Sequence, residues 1–185
     1  IGVMWFDAHA DLNTPATSPT GNIHGMPLAC MLGKGPDSLT GIGFPGAKIS
    51  SRRVIQIGLR ELDPDEKRRI KESEITAYTM EDIDRRGLPE VIEEALEKIQ
   101  EDCDHLHVSF DIDVIDPRWA PGTGTARPGG LTYREAHLAM EMVAETGAVR
   151  SFELVEVNPI LDEGNRTAEV AVGIIASALG KSLLD

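Results

Sequence analysis

Runs of apolar, β-branched sequence alternate along this chain with runs whose apolar residues recur at helical spacing. Strands are predicted at residues 2–6, 53–58, 75–79, 105–111 and 149–157. Helices are predicted at residues 88–101, 132–145 and 166–183, and a further helix is expected to follow the sequence DPDE at 63–66. This alternation predicts an α/β fold in which helices flank a mainly parallel sheet.

The length and composition predict one soluble domain over residues 1–185. Of the 185 residues, 41% are hydrophobic and 26% are charged, which is enough apolar sequence for a sizeable core but contains no run of membrane-spanning length. The net charge of -13 argues against nucleic acid and membrane surfaces as partners, and it favours metal ions or a cationic substrate. Cys30 and Cys103 have no metal-ligand spacing, so we expect a reduced, cytoplasmic setting.

Several polar residues stand where predicted strands end. Asp7, Arg60, Asp111 and Glu156 each occupy such a position. In parallel sheets the functional residues gather at the carboxyl ends of the strands. We therefore expect these residues to mark the functional edge of the sheet.

Two acidic clusters follow the first and the fourth predicted strands. They are Asp7-x-His9-x-Asp11 in the sequence DAHAD and Asp111-x-Asp113 in the sequence SFDIDVIDP. In a fully extended strand Asp7 and Asp11 would stand roughly 13 Å apart, at about 3.3 Å per residue. The chain must therefore curl after Asp7 if both carboxylates are to reach one metal cluster.

Crowded carboxylates repel one another and resist ionisation unless a cation lies among them. Four carboxylates balance the formal charge of two divalent ions, and oxygen ligands with one histidine suit Mn²⁺. Two ions about 3.5–4 Å apart can provide a hydroxide nucleophile. A lone D-x-D pair is more often a turn or a helix cap, an interpretation that we keep for Asp116, but the two clusters together predict a two-metal site.

Five motifs resemble those of the ureohydrolases and, among them, of the bacterial-type arginases. They are DAHADLNTP, SPTGNIHGMP, SFDIDVIDP, GGLTYRE and EVNP, and they follow one another in the order and spacing of that family. The resemblance implies a three-layer αβα fold, two Mn²⁺ ions per subunit, and hydrolysis of L-arginine to L-ornithine and urea. It also implies a homotrimer or homohexamer that works in arginine metabolism and the urea cycle.

The resemblance assigns metal-ligand roles to five residues, namely Asp7, His9, Asp11, Asp111 and Asp113, with Asp7 and Asp111 bridging the two ions. The remaining ligand of the family is a histidine in an upstream Gly-Asp-His stretch that this sequence lacks. We therefore expect an N-terminally truncated chain, about the C-terminal two-thirds of the full enzyme, with impaired activity on its own.

The resemblance also assigns catalytic and substrate-binding roles. Asp113 would move a proton from the nucleophile to the leaving nitrogen, His24 would relay further protons, and Glu156 would face the substrate guanidinium. The alternatives are a local backbone bond for His24 and an ion pair with Arg60 or Arg134 for Glu156. The predicted substrate-binding residues are Asn13, Thr20, Asn22, Asp63, Glu66, Thr125 and Glu156.

The sequence DPDE has a structural interpretation beside the functional one. Asp63 as N-cap, Pro64 at the first helical position and Glu66 three residues after the cap predict a helix start. In arginases, acidic residues at the positions of Asp63 and Glu66 also hold the substrate α-amino group, and the two roles can coexist. Trp5 and Trp119 are assigned to packing.

Three functions stay open on the sequence alone. The first is arginine hydrolysis, the second is another ureohydrolase activity on agmatine or guanidinobutyrate, and the third is a catalytically incomplete metal-binding or assembly protein. The motifs SPTGNIHG and DPDE favour arginine, because each of the other two substrates lacks one of its α-groups.

Overall fold

The computed structural model describes residues 1–101, 103–181 and 184. Its strands are β1 (Gly2–Phe6), β2 (Val54–Leu59), β3 (Thr76–Thr79), β4 (Leu106–Asp111) and β5 (Val149–Val155). Within the described residues these strands form one parallel sheet in the order β3-β2-β1-β4-β5. The predicted strands and the predicted parallel pairing are therefore confirmed.

The helices are α1 (Pro27–Met31), α2 (Asp37–Thr40), α3 (Pro64–Glu72), α4 (Met80–Arg86), α5 (Leu88–Gln100), α6 (Tyr133–Glu145) and α7 (Arg166–Ala178). The sequence predicted α3, α5, α6 and α7. It did not predict α1, α2 and α4, which have 5, 4 and 7 residues and are too short to show a helical period. None of the helices in the described part combines the length and the apolarity that a membrane span needs.

Two predicted elements end earlier than expected. The strand predicted over 149–157 stops at Val155, because Glu156 has a φ of 66° and leaves the extended conformation. The helix predicted over 166–183 stops at Ala178, shortly before Gly180, whose φ of 89° suits a helix terminus. Residues 182 and 183 of that prediction lie outside the described residues.

Side chains of β1 alternate between two apolar layers, because neighbouring residues of a strand face opposite sides of the sheet. Met4 and Phe6 belong to a core built with α4, α5, α6 and α7, and Phe6 stacks on Phe110 at 5.6 Å between ring centroids. Val3 and Trp5 belong to a second core built with residues of α1 and α3. Helices thus cover both faces of the sheet, which confirms the three-layer αβα prediction.

The order of the strands places a crevice at the centre of the sheet. The chain winds outward from β1 to β2 and β3, then crosses to β4 on the other side of β1 and continues to β5. In open parallel sheets, ligands bind beyond the carboxyl ends of the strands where the winding direction reverses. Asp7 follows β1 and Asp111 ends β4, so both acidic clusters lie at this reversal.

Gly58 allows close packing at the end of β2. Its φ is 97°, and the pairing register of β2 with β3 shifts between Ile57 and Leu59. A Cβ atom at Gly58 would lie 2.4 Å from Cγ2 of Val114 and 3.4 Å from the carbonyl oxygen of Asp7. Glycine at this position therefore lets the segments that carry the two acidic clusters approach β2.

Candidate metal centre and substrate cleft

The chain curls after β1, as the spacing of Asp7 and Asp11 required. Asp11 has a φ of 54°, in the left-handed region that non-glycine residues seldom adopt. Three bonds from β2 and the two residues after it hold the curl. The backbone N–H groups of Arg60 and Glu61 donate to the Ala8 carbonyl at 2.9 and 3.0 Å, and the Gln56 amide donates to the Ala10 carbonyl at 2.8 Å. Strained backbone of this kind is concentrated at functional sites.

A compact triad of candidate metal ligands joins the two clusters. One ligand atom each of Asp7, His9 and Asp113 lies within 4.8 Å of the other two. His9 Nδ1 is 3.0 Å from Asp113 Oδ2 and 3.4 Å from Asp7 Oδ1. The two aspartates are buried and the histidine is partly open, so the triad is reached from the His9 side.

Asp11 and Asp111 lie beside this triad. Both are buried, and both line the same cleft as His9. Burial and the charge of Asp7 raise the pKa of each carboxyl group. The structure therefore brings all five predicted metal ligands to one edge of the sheet, three of them in the compact triad.

The carboxylates of Asp7 and Asp113 are held in fixed orientations. Their four oxygens accept hydrogen bonds from protein donors: Asp7 Oδ1 from His9 N at 2.7 Å, Asp7 Oδ2 from Trp5 Nε1 at 3.0 Å, Asp113 Oδ1 from Ala8 N at 3.2 Å, and Asp113 Oδ2 from Thr125 Oγ1 at 2.8 Å. A carboxylate oxygen has a second lone pair, so each group can still bind a metal.

The protonation preferences of the cluster reflect crowded negative charge. Burial and the Asp113 charge raise the pKa of Asp7 to about 6, and burial with the charges of Asp7 and Asp113 raises the pKa of Asp111 to about 10. Burial alone would lower the pKa of His9, but hydrogen bonds to Asp113 and Asp7 outweigh it and raise that pKa to about 10. Burial opposes ionisation of Asp113, yet the His9 hydrogen bond lowers its pKa. A divalent cation would relieve this repulsion, so the donor set fits a metal.

A cleft of about 250 Å³ opens above the triad. Ten of the predicted site residues line it: His9, Asp11, Asn13, Thr20, Asn22, His24, Asp63, Glu66, Asp111 and Thr125. Asp7 and Asp113 are buried. Converging polar groups in a concave pocket are the mark of a small-molecule site.

A larger cavity of about 380 Å³ is lined by Leu12 and by residues of α1 and α3, among others. None of the predicted site residues lines it. Size alone therefore does not identify the functional pocket. The smaller cleft is the candidate functional pocket, because it adjoins the acidic cluster.

The acidic start of α3 is bonded to Leu12 and Asn13, which follow the Asp7-x-His9-x-Asp11 cluster. The Asp63 backbone N–H donates to Glu66 Oε2 at 3.0 Å, which is one half of the predicted capping box. The other oxygen of Glu66 accepts from the Leu12 backbone N–H at 3.1 Å, and Asp63 Oδ2 accepts from the Asn13 side-chain amide at 2.8 Å. Glu66 therefore accepts from two backbone donors, and Asp63, whose side chain also faces the Glu66 backbone N–H in the capping box, lines the cleft.

His24 lies on an exposed loop at the cleft mouth. A short 3-10 turn, Ile23–Gly25, carries it, and the Gly25 carbonyl accepts from the Asn13 backbone N–H at 3.1 Å. Among the described residues, the His24 side chain makes no hydrogen bond. The alternative of a histidine satisfied by a local backbone bond is therefore not observed.

Glu156 is half-buried with a left-handed backbone, and it is not among the residues that line the cleft. Neither alternative partner reaches it, because Arg60 donates to carbonyl oxygens and Arg134 pairs with Glu141. Within the described part of the chain, the Glu156 carboxylate has no hydrogen bond or ion pair. Its substrate contact stays a prediction.

Sequence reasoning missed several polar residues around the cleft. Ser18, Glu61 and Arg127 also line it, and the Arg127 side chain lies 3.6 Å from that of Glu61. Trp5 was assigned to packing, although residues two apart on a strand share a face and its indole could have been expected near Asp7. No sequence signal identifies the contacts of Glu61 and Arg127, since they depend on loops that meet only in the folded chain.

The fold is that of an α/β protein with a parallel sheet between two helical layers. Buried carboxylates and one histidine lie where the winding direction of the sheet reverses, and they form a candidate metal-binding site. The chain belongs to the arginase family, since the family model described as "Arginase family" matches residues 1–180. This confirms the family resemblance of the five motifs.

Relatives with known sequences and structures agree with this membership. The arginases of Bacillus caldovelox and Bacillus subtilis are each 53% identical to this chain over 184 residues, covering 100% of it and 62% of the relative. The solved Bacillus caldovelox arginase is 54% identical with a TM-score of 0.97, covering 99% of this chain and 61% of that one. The Entamoeba histolytica arginase in complex with L-ornithine is 41% identical with a TM-score of 0.91, covering 97% and 60%. The chain thus spans about three-fifths of the length of these relatives.

Proposed function

We propose that this protein is a Mn²⁺-dependent arginase that hydrolyses the guanidinium group of L-arginine to give L-ornithine and urea. The observation that carries the proposal is the cleft, in which ten predicted site residues meet above the triad of Asp7, His9 and Asp113. The identity of 53% to two bacterial arginases supports it.

The metal would be held by the five acidic and histidine side chains, Asp7, His9, Asp11, Asp111 and Asp113. We assign two Mn²⁺ ions to them, because four carboxylates balance two divalent charges and oxygen-rich ligand sets suit this ion. When bound, the ions would supply a nucleophile at neutral pH and neutralise developing negative charge.

Proton movement would fall to Asp113 and His24. Hydrogen bonds from Thr125 and Ala8 hold the Asp113 carboxylate in place, and its lowered pKa keeps it ionised and ready to accept a proton. Asp113 Oδ2 would receive that proton and pass it to the leaving nitrogen of the substrate. His24, exposed at the mouth of the cleft, would exchange protons with solvent.

Recognition of the amino-acid end would fall to the rim of the cleft. The Asp63 carboxylate, which lines the cleft, would bind the α-ammonium group through a remaining lone pair, and Glu66 adds negative charge behind it. Asn13, Thr20 and Asn22 would bind the α-carboxylate. At the other end, Thr125 and Glu156 would face the guanidinium, which offers a carboxylate two parallel N–H donors.

Urea release in the presence of Mn²⁺ tests the proposal, with L-arginine, agmatine and 4-guanidinobutyrate as parallel substrates. Preference for L-arginine supports it. Preference for agmatine or 4-guanidinobutyrate would make the protein another ureohydrolase. Metal binding without release of urea from any of the three would make it a catalytically incomplete metal-binding protein.

The wider setting belongs to the same proposal. We expect a homotrimer or homohexamer in the cytoplasm, acting in arginine metabolism and the urea cycle. Light scattering of the purified protein with and without Mn²⁺ would test the assembly, and a monomer in both states would contradict it.

A further inference from the structure

The Arg60 side chain directs all five of its N–H donors at backbone carbonyls. Nη2 donates to the carbonyls of Asp113 at 2.6 Å and Arg127 at 2.7 Å, Nη1 to those of Val114 at 3.3 Å and Gly58 at 3.4 Å, and Nε to that of Pro128 at 3.2 Å. A guanidinium has five N–H groups in a fixed plane. Arg60 is therefore saturated by main-chain acceptors.

These acceptors belong to three segments that are separate in sequence. One is the end of β2, the second is the 3-10 turn Ile112–Val114 that carries Asp113, and the third is the loop that follows Thr125. The backbone N–H of Arg60 adds a fourth by donating to the Ala8 carbonyl in the curl after β1. One residue thus joins every described segment that supplies a ligand of the compact triad.

The Arg60 guanidinium packs closely against Gly130. A Cβ atom at Gly130 would lie 2.6 Å from Arg60 Nη2 and 2.5 Å from the Val114 carbonyl oxygen. Asp116 anchors the same loop, since its Oδ2 accepts from the Gly129 backbone N–H at 2.7 Å. Asp116 is therefore a turn residue, as expected from the sequence, and it stabilises the loop whose carbonyls bind Arg60.

We propose that Arg60 is a positioning residue that fixes the Asp113 turn against the Thr125 loop and so sets the geometry of the metal centre. Asp113 is constrained from two sides, because Arg60 binds its carbonyl while Thr125 binds its carboxylate. Lysine keeps the charge but has three donors around a single point and cannot reproduce a planar fork to three segments. The proposal rests on the proposed function for the identity of the metal and for the kinetic consequence.

The test compares Arg60→Lys with Arg134→Lys, an exposed arginine that pairs with Glu141 at the surface. Mn²⁺ affinity by calorimetric titration is the primary readout, and the melting temperature, kcat and KM are measured beside it. We expect Arg60→Lys to lose about 10–100-fold in Mn²⁺ affinity, the usual effect of removing a residue that orients metal ligands. We expect kcat to fall with little change in KM for arginine, because Asn13 and Asp63 are untouched, and we expect Arg134→Lys to match the wild type.

A second variant alters the contacts of the guanidinium without replacing Arg60. In Gly130→Ala the new methyl group would clash with Arg60 Nη2, the Val114 carbonyl oxygen and the Asp116 backbone nitrogen, so the contact between the guanidinium and the Asp113 turn must shift and we expect a loss of Mn²⁺ affinity similar to that of Arg60→Lys. The proposal is overturned if the folded variants have wild-type Mn²⁺ affinity and only a lower melting temperature, since Arg60 would then serve stability alone. A wild type that binds Mn²⁺ but releases no urea would defeat the proposed function, while the affinity comparison would still decide the role of Arg60.

Discussion

The indole N–H of Trp5 donates to Oδ2 of Asp7 at 3.0 Å, and both side chains are buried. The two residues stand two apart at the end of β1, where the pleat turns them to the same side. The other oxygen of Asp7 accepts from the His9 backbone N–H. Trp5, an aromatic residue of the core, therefore helps to orient Asp7, a candidate metal ligand.

Replacing Trp5 by Phe should leave the apolar core in place while removing this hydrogen bond. We expect Mn²⁺ affinity to fall about 10–100-fold, because residues that orient metal ligands usually contribute that much. Metal titration checks the loss, and circular dichroism checks that the fold is kept. Trp119→Phe is the matched control, since Trp119 is 45% exposed and lies against Tyr133. Equal Mn²⁺ affinity in the two variants would return Trp5 to packing alone.

Asp111 and Asp116 occur in one motif and should differ sharply in what their replacement does. Asp111→Ala removes a predicted metal ligand, so most Mn²⁺ binding should disappear. Asp116→Asn weakens the anchor to the backbone N–H groups of Arg118 and Gly129, so it should lower the melting temperature and reduce Mn²⁺ binding much less than Asp111→Ala does. Metal analysis of both dialysed variants provides the measurement. Unchanged metal content in Asp111→Ala would contradict the ligand assignment.

Asp63 should decide how strongly the cleft prefers a substrate with an α-amino group. Asp63→Asn keeps a side chain that caps helices but removes the negative charge. A charged hydrogen bond contributes about 1.5–3 kcal/mol, so kcat/KM for L-arginine should fall roughly 10–150-fold. The value for 4-guanidinobutyrate, which lacks the amino group, should change little. Asp65→Asn, at the same helix start and paired with Arg68, is the control. Equal losses on both substrates would leave Asp63 with a capping role only.

The fold and the ligand clusters were predictable because their signals are local. Strand and helix periods, the D-x-H-x-D spacing and the DPDE helix start are each contained in a short window of sequence. The curl after Asp7 followed from distance alone, and Asp11 provides it through a φ of 54°.

The bonds that fix the site were not predictable, because their partners are distant in sequence. Arg60 donates to carbonyls 53 and 67 residues away, and Glu66 accepts from the Leu12 backbone N–H 54 residues away. The sequence shows which groups need partners, but main-chain acceptors look the same at every position. Arg60 was expected at the functional edge of the sheet and considered as a partner for a carboxylate, although its actual partners are carbonyl oxygens.

The stability of the metal-free protein should decrease as the pH rises. Folding raises the pKa of Asp7 from 3.8 to about 6, that of Asp111 from 3.8 to about 10, and that of His9 from 6.5 to about 10. A group whose pKa is raised by folding holds its proton longer in the folded state, so its stabilisation is complete below the unfolded value and is lost as the pH rises through the folded value. All three groups act in the same direction. The melting temperature of the metal-free protein should therefore fall between pH 6 and pH 10, above the range in which carboxyl groups with a lowered pKa, such as Asp113 and Glu94, act in the opposite direction.

Mn²⁺ should reverse this trend, because metal ligands bind in their deprotonated forms and release protons on binding. The rise in melting temperature produced by a fixed Mn²⁺ concentration should therefore grow from pH 5 to pH 8. At pH 7 the released protons should come mainly from Asp111 and His9, whose pKa values near 10 leave them protonated in the metal-free protein. Calorimetric titrations in buffers of different ionisation enthalpy would count these protons. A metal-free protein that is most stable above pH 8, or a Mn²⁺ effect independent of pH, would contradict the electrostatic picture of the site.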